Sequence, residues 1–143
     1  MTTTTQQGGA PASAGRRLTA LRGNCMGAAV LLIVQFGLGI GINLYVALPA
    51  HKSFLSTVFG SAVLAIHAIV ALALLGAAAS ALVRAIQIRR AVAFTSVGLA
   101  AIVAAAAAGV SFAGSQSNGA SLSMALGTAA AMFCYLAAIF SMR

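Results

Sequence analysis

Not one of the 143 residues is aspartate or glutamate. That absence removes whole classes of chemistry. Paired-carboxyl hydrolysis needs two acids, and a hard-cation cage needs anionic oxygens. An acidic proton carrier has no residue to use, and a Ser–His pair would lack the acid that orients its imidazole. The chain is therefore expected to be no enzyme. Cysteine is scarce as well. Cys25 and Cys134 are the only two, with no CxxC spacing and no companion ligands, so no metal site is expected. They are expected to be buried thiols on one side of a membrane rather than a disulfide.

Charge of either sign is thin, at 6% of residues, while 62% are hydrophobic and mean hydropathy is +1.06. Soluble domains are about half apolar and about a quarter charged. Too few polar groups remain here to coat a soluble particle, so lipid is the expected solvent. The eight charges are all positive: Arg16, Arg17, Arg22, Lys52, Arg84, Arg89, Arg90 and Arg143. In a soluble chain a pI of about 11.6 would point to nucleic acid. These cations instead flank apolar runs and do not interleave with aromatics. They read as topology determinants facing anionic lipid headgroups, with no nucleic-acid partner.

Residues 1–15 are low-complexity Thr, Gln, Gly, Ala and Ser. Together with the basic flank they are expected to form a disordered tail over 1–23. Residues 24–143 form one domain with four apolar segments, at about 25–48, 57–83, 91–113 and 121–141. Each approaches or exceeds the roughly 20 residues that a helix needs to cross a bilayer. Strands are excluded because hydrocarbon cannot satisfy an open sheet edge. "GRRLTALRGN" resembles a twin-arginine leader. The apolar run that follows is longer than the roughly 7–15 residues of a signal core, contains Gln35 and Asn43, and meets no A-x-A site. It is expected to stay as the first span.

Pro49 closes that span, and "SNG" at 117–119 supplies turn chemistry between the last two. Short connections predict an all-α, antiparallel, up-down four-transmembrane-helix bundle, integral to the membrane. Tyr45, Phe54, Phe59 and Phe112 fall where an outer aromatic belt would lie. Seven cations lie on one side of this topology and only Lys52 on the other. Both termini are therefore expected in the cytoplasm, across a bacterial inner membrane.

"GLGIGIN" puts Gly37 and Gly41 four residues apart, with Gly39 on an adjoining face, and residues 104–109 read "AAAAAG". Small residues at such spacing let helices approach closely. Packing inside the bundle is the first expectation, and a homo-oligomer or a seam with other membrane subunits is the alternative.

Ionisable groups in hydrocarbon are candidate functional sites. By helical rise, His67 in "AVLAIHAIV" and Gln35 both lie about 15 Å deep on neighbouring helices. Thr128 is close enough in depth to join them. An interhelical Gln35–His67 hydrogen bond is the first reading. A quinone or haem site on His67 with Gln35 in support is the second, and a proton-handling site the third. Bis-histidine haem ligation fits poorly, because the other imidazole, His51, sits at the outer boundary. Met124 and Met132 more often pack than ligate. His51, Lys52 and Tyr45 form a polar cluster suited to headgroup anchoring or to recognition of a partner.

The layout is similar to that of small multidrug-resistance exporters, which depend on a membrane-embedded glutamate that this chain lacks. "NLYVALPAH", "AIHAIVALALL" and "GVSFAG" together look like a group of small four-span membrane proteins of high-GC actinobacteria. That group carries no established activity, so the resemblance implies a fold and a compartment only. It draws attention to Asn43, Pro49, His51 and His67, with Asn43, His51, Gly37 and Gly41 as interface candidates. The expected function is a non-catalytic structural or accessory subunit of a membrane assembly. A redox-cofactor subunit is the runner-up and a small channel or transporter the third class. Reporter tags placed after Arg143 and beside Ser117 should label from opposite sides of the membrane, and same-side labelling would overturn this topology.

Overall fold

The computed structural model describes residues 10–45 and 54–143. Among the described residues all regular structure is helical, with no strand. The elements are α1 (Ala10–Tyr45), α2 (Phe54–Phe59), α3 (Ala62–Ile88), α4 (Val92–Ser115) and α5 (Asn118–Ser141). All but the short α2 are long and apolar enough to cross a membrane.

Three regions differ from expectation, each for a local reason. Helix α1 begins at Ala10, so residues 10–23 are not a disordered tail. Alanine, leucine and arginine are good helix formers there. Leu21 is fully buried and Leu18 packs beside it, so the core extends below the apolar span. Residues 1–9 lie outside the described residues.

The second apolar segment does not start at 57 and run to 83. Its helix breaks at Gly60–Ser61, where Ser61 is extended (φ −135°, ψ 125°) and holds the N-cap position of α3 without a side-chain capping bond. Helix α3 then continues past Arg84, because Ala85 and Ile88 still have core to pack against. It closes when Arg89 enters the left-handed region at φ 53°, its N–H donating to the Ile86 carbonyl and that of Arg90 to Ala85. This is the Schellman closure, with arginine where glycine is usual.

The final turn pivots on Gln116, left-handed at φ 50°, and on Ser117, whose Oγ accepts from the Ala120 N–H at 3.3 Å. Asn118 and Gly119 are thus the first turn of α5 rather than the connection.

Helix α1 packs on α3 and α5, and α4 packs on α3 and α5. Specific contacts show the directions. Gln35 meets His67 while the earlier Asn24 meets the later Ser80, so α1 and α3 run antiparallel. Gly109 lies against Met124 and Gly98 against Tyr135, so α4 and α5 do too.

The inward faces share one rhythm, alternating steps of four and three residues. On α1 it runs Leu21, Cys25, Ala28, Leu32, Gln35, Gly39, Ile42, and on α3 it includes Leu74, Ala78, Ala81 and Ala85. A repeat of about 3.5 residues keeps one seam facing a partner along the whole helix. Small residues dominate it, so the backbones lie close. Ala105 of the "AAAAAG" stretch lies against Gly127, as does Ala101 one turn before it.

The tightest approach is Gly98. A Cβ there would fall 2.9 Å from Tyr135 Cε2 and 3.3 Å from Cys134 Cβ, and Tyr135 is fully buried and cannot swing away. Gly98→Ala should therefore destabilise by about 1–3 kcal/mol through overpacking. Gly114→Ala, which meets nothing within 4 Å, should be neutral or slightly stabilising. Thermal unfolding of the two variants in the same detergent compares them.

Candidate functional site

Two polar bridges tie α1 to α3. Near the α1 start, the Asn24 amide donates to Ser80 Oγ at 3.0 Å, and that hydroxyl donates to the Ala77 carbonyl at 2.8 Å. Further along, Gln35 Nε2 lies 3.0 Å from His67 Nε2. The interhelical bond expected from the two depths is present. Because α3 starts at Ala62 and not at 57, His67 is about 8 Å from the helix start by helical rise. The pair lies toward the α2–α3 end of the seam and not at its middle.

Gly39 faces the imidazole. A Cβ at Gly39 would lie 3.6 Å from His67 Cε1, an ordinary van der Waals contact. The amide nitrogen only donates, so in this arrangement Nε2 of the imidazole accepts and the ring proton sits on Nδ1. His67 Nδ1 and Gln35 Oε1 are then buried with no hydrogen-bond partner among the described residues. The pair keeps one donor and one acceptor in reserve. Exchanging the amide oxygen and nitrogen changes which atom donates but leaves the same surplus.

Thr128 does not join them. Its hydroxyl donates to the Met124 carbonyl of its own helix at 2.8 Å. Thr95 is likewise closed on the Ala91 and Val92 carbonyls. The Tyr135 hydroxyl is the remaining orphan, buried in the core with no partner among the described residues. Cys25 and Cys134 are free and buried, as expected. No cluster of three or more potential metal ligands occurs among the described residues.

The interface candidates separate. Asn43 is exposed near the end of α1, beside Tyr45. His51, Lys52 and Pro49 lie outside the described residues. Gly37 is exposed and Gly41 half-buried, and a Cβ on either would meet nothing within 4 Å. The expectation that these two glycines pack inside the fold therefore fails. Gly39, between them, is the one that faces a neighbouring helix. The outward face also carries Gly23, Gly27, Val30 and Val34, again in steps of four and three. Gly23 lies before the expected span, which starts at 25, and without it Gly27 has no small residue four positions away. It missed Asn24–Ser80 because a polar residue in a basic flank gives no periodic signal.

No family model, curated protein or solved structure matches the chain. Its chemistry is therefore read from its own residues. A double-mutant cycle of Gln35→Leu and His67→Leu, followed by unfolding in detergent, should give a coupling of about 0.5–2 kcal/mol. Additive effects would mean that the 3.0 Å contact contributes nothing.

Proposed function

We propose that the chain is an integral protein of a bacterial inner membrane, an up-down four-helix bundle with both termini in the cytoplasm. Its role is that of a non-catalytic structural or accessory subunit, in keeping with the resemblance to small four-span actinobacterial proteins. Supporting the orientation, the α1 start, the α3 end and the α5 end bring all seven arginines to one end of the helices. Anionic headgroups of the cytoplasmic leaflet complement such an end.

One observation carries the accessory role. Helix α1 has a second seam opposite the packed one, with Gly23, Gly27, Gly37 and Gly41 flanking Val30 and Val34. None of those four glycines has a neighbour within 4 Å of a would-be Cβ. Two small-xxx-small steps in register on one lipid-facing stripe permit close backbone contact with another helix. That helix belongs to another membrane subunit or to a second copy.

The second reading is a quinone-type electron-transfer subunit. It draws on the spare Nδ1 and Oε1 at His67 and Gln35, which could bind a carbonyl and a hydroxyl of a lipid-soluble headgroup.

Purification in mild detergent from cells expressing the tagged chain separates the readings. The accessory role predicts stoichiometric co-purification of a membrane subunit or a stable homodimer. Gly27→Leu with Gly37→Leu should abolish that association, with unfolding of the isolated chain unchanged. A chain that purifies alone and monomeric, indistinguishable from this variant, overturns it. A bound quinone lost in His67→Ala would instead establish the second reading.

A further inference from the structure

Where the first turns of α1 meet the last turns of α3, a cleft of about 320 Å³ opens, lined by Arg17, Arg84, Gln87 and Ile88. We propose that this cleft binds a phosphate group, carried by an anionic lipid headgroup or by a soluble phosphate.

The argument begins with counter-charge. Arg17 and Arg84, from different helices, line one concavity. This chain has no Asp or Glu at any position, so no side chain of its own can neutralise the pair. The concavity is therefore open to an external anion.

The donor set then selects its chemistry. Each guanidinium presents a planar fork that matches two oxygens of a phosphate. Donors from two helices suit a tetrahedral anion, whose oxygens point in several directions, better than a flat carboxylate. Gln87 adds a neutral amide donor for an ester or phosphoryl oxygen. Ile88 is partly buried against the core and gives the cleft an apolar wall, which suits the glycerol and upper acyl carbons of a lipid. The volume sits at the lower end of small-ligand sites, roughly 300–1,000 Å³.

Position separates this pair from Arg143, which stacks over the Phe140 ring, its Cζ 4.4 Å from the centroid. Arg17 and Arg84 are both exposed, so a headgroup can enter from outside without moving the helices. Basic pockets between helices at the cytoplasmic face are where anionic lipids are held specifically. The lipid source rests on the membrane-spanning reading above, whereas the soluble source does not.

The test uses the full chain, delipidated in detergent, with three probes: dioleoyl-phosphatidylglycerol, dioleoyl-phosphatidylcholine and inorganic phosphate. Native mass spectrometry and thermal unfolding report binding. The anionic lipid should be retained in preference to phosphatidylcholine and should raise the unfolding temperature. Arg17→Gln and Arg84→Gln should each weaken it by about fivefold, with unchanged helicity. Arg143→Gln, at the same end but outside the cleft, should leave binding intact. Inorganic phosphate that stabilises the wild type as well as the lipid does, and loses its effect in the cleft variants, would assign the site to a soluble phosphate. The proposal is overturned if neither phosphate probe distinguishes wild type from the cleft variants, or if Arg143→Gln weakens binding equally. Because the readout uses the isolated chain, a failure here leaves the accessory role standing, and loss of a partner leaves this site standing.

Discussion

Close backbone contact along seams that repeat about every 3.5 residues is the constraint on which the rest of the structure depends. In the hydrocarbon proposed above as the surroundings of these helices, the hydrophobic effect does not draw apolar faces together, so van der Waals packing must. That attraction falls away within an ångström of the optimal separation. Alanines at 78, 81, 85, 28 and 131 and glycines at 98 and 127 let the helices reach it. Once the seams close, the pairing of α1 with α3 sets which polar groups meet and which end gathers the arginines.

The same small side chains explain the few polar contacts. A hydroxyl on a tightly packed helix reaches the carbonyl one turn back before it reaches a neighbour, as Thr95 and Thr128 do. Only longer side chains cross the gap, and Gln35, His67 and Asn24 are such residues. Tyr135 is long as well, but its ring is wedged against Gly98, and its hydroxyl meets no acceptor among the described residues.

Charge of a single sign has a second consequence. With no Asp or Glu, no side chain can form an ion pair with a guanidinium, which leaves solvent, backbone carbonyls, aromatic rings and external anions as its partners. Arg143 takes the ring of Phe140. Arg17 and Arg84 share a concavity with an amide and an apolar wall. The absence of carboxylate side chains therefore leaves the basic end facing anions that no side chain of the chain supplies.

Composition and the lengths of the apolar runs were enough to give helices alone, four of them long enough to span a bilayer, because burial of backbone polar groups in hydrocarbon leaves few solutions. The Gln35–His67 contact was legible too, since two long polar side chains at similar depth on adjacent helices have few other partners. The tertiary structure decided which glycines face inward and which face out. Gly37, Gly39 and Gly41 are equivalent as letters, and only the rotation of α1 against α3 turns Gly39 to His67 and its neighbours away. It also decided that the helix carrying His67 starts at Ala62, and that Arg17 and Arg84 share a cleft. Helix phase and register arise from contacts between residues distant in the chain, and local sequence does not contain them.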